Sequence, residues 1–500
     1  MNNFNLVLQL LEKHGPLAAG DLQKHLSSKK LSNVAARQRI SRARGGVQRF
    51  RTISLPKREQ FLFITKQSET ERFWKALLNA HTSRRSAYGV ALQSILARGG
   101  IIPLKHFEIV SGSPFKLRKH LGSETLLDRL VRSKMLRLNH HLDLGDCISI
   151  DAMGYLGKPD VNALRQRLVV EEVLLTGVLD WARKIGFVSY KAAKKRRLDH
   201  IATFGQFGWD ITGPSYIRPL STYARGTVHP GFLVADVAYC ELDENQILYF
   251  FQKCNITRAI RTMRPFLPLL VAERFTNEAF KLGKKLGIVL TTPEILFGRS
   301  VAESLKALAA TLQNAAKVAE ENPERVAELL NSLSAIEGAV INLRGALFEL
   351  IVGHLVLKGE GSTIDIGVTV TDSEGKSAEI DVRRVKGDHE VALYECKGLQ
   401  PQTEVSLFDV EKWLTKKVPT IRSALLRETR FRNTNYIFEY WTSGRFSDEA
   451  VERLEMAKRE TLKYAVAWRD GASVLQYAKE KRVGSIADVL REHFTQHPLS

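Results

Sequence analysis

Thirteen residues separate Asp381 from Glu395-Cys396-Lys397, which closes the apolar run Val391-Ala-Leu-Tyr394. Two carboxylates and an amine gathered at one place suit a hard, oxygen-seeking cation, Mg²⁺ or Mn²⁺. Such a cation polarises a phosphodiester and lowers the pKa of an attacking water, while Lys397 would orient that water or stabilise the developing charge. Asp381 and Glu395 are therefore the candidate metal ligands. An isolated E-x-K on a strand more often reads as a surface ion pair. The elements around it decide between the two.

Ser377-Ala-Glu-Ile-Asp-Val-Arg383 alternates polar and apolar residues, and Val391 to Cys396 is β-favouring, with Lys386-Gly-Asp-His389 as the turn between them. Side chains alternate faces along a strand, so Glu395 and Lys397 leave the same side and hairpin register can bring Asp381 beside them. A helical run, Val340 to Val352, precedes the hairpin, and Thr363 to Thr371 reads as a strand. After Gly398 comes a polar stretch with a helix over Ser406 to Arg427, then the strand Tyr436 to Trp441. Thr442 to Ala450 reads as a turn and helix cap, Tyr464 to Trp468 as a last strand, and Arg469 to Leu475 closes the region.

This order of elements, with these residues, resembles the PD-(D/E)xK nuclease superfamily and, in detail, the Mrr-type restriction endonucleases. The resemblance runs from residue 339 to the end of the chain. It implies a restriction-endonuclease-like α/β domain and a Mg²⁺- or Mn²⁺-dependent DNA endonuclease. It also implies catalytic roles for Asp381, Glu395 and Lys397, with Glu349, on the helix before the metal strands, as a further catalytic residue that supports the metal. The family's Pro before the first metal Asp is Ile380 here, and its Gln near the following helix is either Gln400 or Gln402. A role in restriction or anti-phage defence, with partner proteins of such a system, follows from the same resemblance.

Composition points independently to a polyanionic partner, because the chain carries a net charge of +20 over 500 residues and a pI near 9.7. Residues 1–65 hold twelve Lys or Arg against three Asp or Glu, a net +9. Within them the pattern reads as a winged helix. Asn5 to Lys13 is amphipathic and ends at His14-Gly15-Pro16, Asp21 to Leu26 lies in a second helix, and Ser32 can cap a third, Asn33 to Arg44, stopped by Gly45-Gly46. Val47 to Ile53 and Gln60 to Ile64, around Pro56-Lys57-Arg58, form a basic wing. The DNA-binding candidates are Arg37, Gln38, Ser41, Arg42 and Arg44 on the third helix, and Arg49, Arg51, Lys57 and Arg58 on the wing. Such a helix suits the major groove of double-stranded DNA, with phosphate contacts at its flanks. The alternative is a solvated basic helix in a domain that contacts protein.

A weak repeat at an offset of 84, Leu8-Gln9 and His14 to Leu17 against Leu92-Gln93 and Arg98 to Ile101, predicts a second winged helix. Its elements would be helices near Leu104 to Val110 and Ser123 to Lys134 and a hairpin over Leu136 to Ile150, joined to the first copy by a helix over Glu71 to Ala80. Its third helix is less basic and suits packing or dimerisation. His140-His141 in its wing lack a Cys or carboxylate cluster at ligand spacing and read as surface histidines.

Val161 to Ile185 reads as a long helix, and the basic run Lys191 to Arg197 as a solvated face. Strands are expected at Trp209 to Thr212, Gly231 to Ala238 and Gln246 to Lys253, then a helix over Thr257 to Leu286 and a strand Gly287 to Leu290. That order repeats the C-terminal one, with Asp236 and Lys253 in the places of Asp381 and Lys397, and Phe251 in that of Glu395. It predicts a nuclease-like domain that has lost its metal site, or else an unrelated α/β domain. Residues 301–338 read as a helical linker with a break at Asn322-Pro323.

The expected architecture is a multidomain α/β chain: a winged-helix domain (1–68), a connecting helix with a second winged-helix-like domain (69–152), an α/β domain (153–300), the linker (301–338) and the nuclease domain (339–500). No apolar stretch is long enough to span a membrane, and the polar start has no signal-peptide core, so a cytoplasmic location is expected. The four cysteines lack C-x-x-C spacing, which argues against a zinc module and suits a reducing compartment, and Cys396 is expected to point into the core. No G-x-x-x-x-G-K-[ST] suggests ATP hydrolysis. Duplex cleavage needs two active sites or two events, which makes a homodimer a candidate arrangement. The readings that compete with a DNA endonuclease are a DNA-binding regulator with a silent nuclease fold and an RNA nuclease. A groove-reading helix favours duplex DNA over RNA.

Overall fold

The computed structural model describes residues 5–28, 31–224, 227–321, 328–329, 332–333, 339–360, 363–399 and 403–495. It falls into two compact units, each discontinuous in sequence: residues 1–139, 146–160 and 182–292, and residues 140–145, 161–181 and 293–500.

The first unit begins with α1 (Asn5–His14), β1 (Leu17–Ala18), α2 (Ala19–Ser27), α3 (Asn33–Arg42) and the hairpin β2 (Val47–Phe50) and β3 (Phe61–Ile64). The strands form an antiparallel sheet in the order β1-β3-β2. Ser32 starts α3, its extended backbone letting the side-chain oxygen accept the Ala35 N–H at 3.2 Å. Gly45 and Gly46 follow it at φ of 65° and 97°, where glycine escapes the Cβ clash, and turn the chain into the hairpin. Leu10, Leu11, Leu22, Leu26, Ile40 and Leu62 are buried together beneath these helices.

The same order returns in α4 (Glu71–Ser83), α5 (Ala87–Ala97), β4 (Ile101–Pro103), α6 (Phe107–Val110), α7 (Ser123–Arg132), β5 (Leu136–His141) and β6 (Gly145–Ile150). Here α4 is the connecting helix, and β4 pairs antiparallel with β6 as β1 does with β3.

Beyond α8 (Val161–Lys184) lies a second sheet of the first unit, built from β7 (Lys194–Lys195), β8 (Ile211–Ser215), β9 (Gly231–Leu242), α9 (Leu248–Ala259), β10 (Phe266–Phe275), α10 (Asn277–Lys285) and β11 (Val289–Thr291). Its order is β11-β10-β9-β8-β7, with β7, β8 and β9 antiparallel and β9, β10 and β11 parallel. Two expectations are corrected. Gln246 to Lys253 is not a strand but enters α9, because Asp243 accepts the N–H groups of Asn245 and Gln246 while the Gln246 side chain takes the Asp243 N–H. That reciprocal pair is a capping box, which starts a helix. The helix expected over Thr257 to Leu286 is interrupted by β10, whose Leu269 to Ala272 are buried and whose Pro268 would break a helix.

The second unit holds α11 (Arg299–Gln313), α12 (Ala315–Glu321), α13 (Ala339–Glu360), β12 (Thr363–Thr371), β13 (Ser377–Lys386), β14 (Glu390–Lys397), α14 (Leu407–Lys412), α15 (Val418–Leu425), β15 (Asn435–Thr442), α16 (Asp448–Glu460), β16 (Ala465–Arg469) and α17 (Gly471–Glu480). The expected break at Asn322-Pro323 lies outside the described residues, as do Gln400 and Gln402. β12, β13 and β14 are antiparallel neighbours, and β14, β15 and β16 are parallel. Strand for strand, this is the order and direction of β7 to β11. Ile380, Leu393, Trp413, Phe438 and Val466 pack one face of the sheet into a core.

His81, on α4, is fully buried with its Nδ1 2.8 Å from the Ser86 hydroxyl. Burial, then the nearby Arg84 charge, push its pKa down to about 4 from 6.5. The folded protein therefore resists a proton that the unfolded chain accepts. Stability is full above pH 6.5 and falls as the pH drops from 6.5 toward 4, by up to about 3 kcal/mol at 1.36 kcal/mol per pH unit. Urea midpoints at pH 7.5 and 5.0 should drop more for the wild type than for His81→Gln; equal drops would refute this.

Candidate functional site

The strand pair β13 and β14 places the two candidate carboxylates. Val382 pairs with Tyr394, and the same register carried one residue further sets Asp381 opposite Glu395. The Cys396 N–H donates to Asp381 Oδ2 at 2.6 Å, while the Cys396 side chain turns to the other face and is buried. Burial, followed by the charges of Asp381 and Glu349, pushes its thiol well up. Next to it, a Cβ on Gly398 would lie 2.2 Å from the Arg344 carbonyl oxygen, so only glycine lets α13 pass this close to the strand end. That helix carries Glu349. Burial, then the Asp381 and Glu379 carboxylates, raise its pKa well above the ordinary range.

Lys397 does not reach either carboxylate. Its Nζ pairs with Asp409 Oδ1 at 2.7 Å. Asp409 is also the third residue of a capping box with Ser406, which starts α14 where expected. The helix expected over Ser406 to Arg427 is continuous but contains a π-turn, Trp413–Lys417, between α14 and α15. Pro419, lacking an N–H, sits just beyond that turn.

Lys417, the last residue of the π-turn, enters the space that the two carboxylates share. Its Nζ lies 2.6 Å from Glu395 Oε2, 3.2 Å from Asp143 Oδ1 and 3.5 Å from Asp381 Oδ1. Asp143 also accepts the Glu379 N–H at 3.0 Å and faces Arg165 on α8 at 3.3 Å, and Arg165 pairs with Glu379 at 2.8 Å. Lys417, Asp143 and Arg165 were not found from sequence. Pro419 inside a helical pattern was a signal for the first; nothing local marked the other two.

Five carboxylates, Asp143, Glu349, Glu379, Asp381 and Glu395, thus face two cations, Lys417 and Arg165. Burial, then the Asp381 charge, push Glu395 up to about 8, and for Asp381 burial outweighs the Lys417 charge and the Cys396 N–H to raise it. For Glu379 burial outweighs the Arg165 charge and carries it to about 7. For Lys417 burial works against the charged form, but the surrounding carboxylates outweigh it and hold its pKa well above normal. Asp143 departs from the other carboxylates. Burial raises it, yet Lys417 and Arg165 together pull it lower.

As for a metal, the donors are all hard carboxylate oxygens, and a lysine ammonium stands among them as a stand-in cation. Among the described residues no three His, Cys, Asp or Glu side chains are already spaced as a metal cage. The donors suit Mg²⁺ or Mn²⁺ in kind, and Lys417 stands among them. A cavity of about 190 Å³ opens beside it, lined by Asp143, Glu395, Lys397, Asp409, Lys412 and Lys416 among others.

The first unit contains a counterpart of this arrangement. Ile211 pairs with Ala235, so Asp210 falls opposite Asp236, and Asp210 Oδ2 accepts the Val237 N–H at 2.6 Å, as Asp381 does from Cys396. The Lys253 ammonium lies 2.6 Å from Asp236 Oδ2 and 4.0 Å from the centre of the Trp209 ring. The expected correspondence is thereby corrected. Lys253 reaches Asp236 from helix α9 rather than from a common sheet, Phe251 lies on the same helix, and the register partners of Asp381 and Glu395 are Asp210 and Asp236. Two residues beyond Asp236, where β14 has Lys397, stands Ala238. The basic run is corrected too, since Arg196 is not solvated but buried against Asp210. Burial outweighs mutual attraction in this pair, raising Asp236 to about 6 and lowering Lys253.

Of the basic-surface candidates, Arg37, Gln38, Ser41, Arg42 and Arg44 on or just after α3, and Arg51, Lys57 and Arg58 between β2 and β3, are exposed. Arg49 is engaged instead, donating to the Ile40, Ser41 and Ala43 carbonyls at the end of α3. His141 is corrected from a surface residue to a buried one, and burial and the Arg165 charge lower its pKa. No helix among the described residues is long and apolar enough to cross a membrane.

No protein family profile matches the chain, and no curated protein does. A search of solved structures returned the restriction endonuclease FokI at 10% identity, over 93% of this chain and 83% of that one, with a TM-score of 0.20. A likeness at that level carries no argument.

Removing Lys253 leaves Asp236 buried without its partner. Lys253→Met should therefore cost about 3–5 kcal/mol in urea unfolding. A loss below about 1 kcal/mol would show that the pair contributes little.

Proposed function

We propose that the chain is a metal-dependent DNA endonuclease of PD-(D/E)xK type. The observation that carries this reading is the convergence of Asp381 and Glu395 across a strand pair, with Lys397 two residues on, on a sheet of three antiparallel and two further parallel strands. Asp381 and Glu395 would hold Mg²⁺ or Mn²⁺, with Glu349 in support. When bound, such an ion supplies Lewis acidity and an activated water. Lys397, once off Asp409, orients that water or meets charge developing on the phosphate. Water adds to phosphorus, one P–O ester bond breaks, and the leaving oxygen takes up a proton. Lys412 and Lys416 at the cavity mouth suit a phosphate backbone.

Two winged helices at the N-terminus are part of the same proposal. Helix, strand, two helices and hairpin occur twice, and α3 of the first copy exposes the basic face suited to duplex DNA. The domain around β8 and β9 is proposed as a nuclease-like copy without catalysis, since Ala238 replaces the lysine and Lys253 and Arg196 neutralise both carboxylates. A place in restriction or antiviral defence, a homodimer and a cytoplasmic location belong to this reading. A second reading, a DNA-binding regulator with a silent nuclease fold, draws on Lys417 between the carboxylates.

Purified protein should cut supercoiled or linear DNA with Mg²⁺ or Mn²⁺ and not with EDTA, and Asp381→Ala and Lys397→Ala should each lose on the order of 10²-fold or more in rate. Cutting of RNA alone would move the substrate. No cutting of any nucleic acid, with salt-sensitive DNA binding intact, would favour the regulator.

The DNA-binding surface is tested separately. Arg37→Ala, Arg42→Ala and Arg44→Ala combined should weaken duplex binding and flatten its salt dependence, by about 0.9 in the log–log slope for each phosphate no longer neutralised. An unchanged slope would remove α3 from the interface.

A further inference from the structure

The geometry around Lys417 is that of a cation site. One ammonium is approached by oxygens of three separate carboxylates, from a hairpin turn (Asp143) and two strands (Asp381 and Glu395), at 3.2, 3.5 and 2.6 Å. Arg165 adds a second cation to the group, against Asp143 and Glu379. In the counterpart site, Asp210 and Asp236 are matched one for one by Arg196 and Lys253, and Lys253 is sealed under Trp209 with no exposure. Lys417 instead borders an open cavity and ends a π-turn, a local distortion that a small backbone change can undo.

We propose that Lys417 is a built-in counter-ion occupying the divalent-cation position, and that Asp143 is the third carboxylate of that position, so that metal and ammonium hold it in alternation. The inference rests on the nuclease reading for its catalytic meaning, but not for its test. A metal must displace the ammonium before it meets the three oxygens, and the apparent affinity is lowered by the fraction of molecules in which Lys417 is seated. Withdrawal of Lys417 leaves Asp143, Asp381 and Glu395 without the ammonium they share, a loss that another cation relieves. Lys417 is thus a positioning residue and a gate. Asp143 selects for a divalent ion over a monovalent one by adding a charge to the ligand set.

The test measures Mn²⁺ binding to the full chain by titration calorimetry, without nucleic acid, together with the melting temperature at each Mn²⁺ concentration. Lys417→Met should bind Mn²⁺ about tenfold tighter than wild type or better, because the competitor is gone. Its melting temperature should fall without metal and rise with Mn²⁺ more steeply than the wild type's. Asp143→Asn should bind about tenfold more weakly, since the ligand set is then one charge short. Lys253→Met should bind as the wild type does. Unchanged or weaker binding in Lys417→Met overturns the gate, and unchanged binding in Asp143→Asn overturns the third ligand. If Lys417→Met does not fold even with Mn²⁺, Lys417→Gln takes its place under the same criteria. Metal binding that follows this pattern without DNA cleavage would sink the nuclease reading and leave this inference standing. Cleavage with flat binding across the variants would do the reverse.

Discussion

Carboxylates held out of water around a single ammonium are the constraint on which the second unit depends. Each of Asp143, Glu379, Asp381 and Glu395 loses hydration on folding, and a desolvated carboxylate is tolerated only when a cation or donor replaces the lost water. Lys417, Arg165 and two backbone N–H groups do this. The surrounding architecture follows from that need. The middle of β13, the end of β14, the π-turn and the β5–β6 turn must all arrive at one point for these buried carboxylates to be bearable.

The two sheets show what distinguishes a poised charge cluster from a settled one. In the first unit two acids meet two bases, an aromatic ring covers the ammonium, and the arrangement is a piece of core. In the second unit one ammonium is shared by three acids beside an opening to solvent. A sealed pair contributes rigidity, whereas a shared ammonium beside solvent can give way to another cation.

Much of this was legible in the sequence because it is local. Period-two alternation placed β13, an apolar β-favouring run placed β14, and the same-face rule put Glu395 with Lys397 and across from Asp381. Ser32 announced its helix by capping. The errors have physical causes. Gln246 to Lys253 is apolar and aromatic enough for a strand, but the capping box from Asp243 decided for a helix. Arg49 looked like a phosphate ligand by charge alone, yet the free carbonyls ending α3 claimed it. Lys417 was missed because Pro419 marks a disturbed helix without showing which turn widens or which side chain it re-aims. Asp143 and Arg165 are distant in sequence from the strands they serve, and no spacing rule spans that distance.

The placement of Asp143 and Arg165 has a consequence for dissecting the chain. A fragment cut at the start of the C-terminal helix–strand region would retain Asp381, Glu395, Lys397 and Lys417, and by composition would look self-sufficient. It would lack the hairpin turn and the stretch of α8 that bring a third acid and a guanidinium to the same point. The module that can be transplanted is therefore not the contiguous one. Fusions or truncations drawn at sequence boundaries would carry an ammonium whose partners had been left behind.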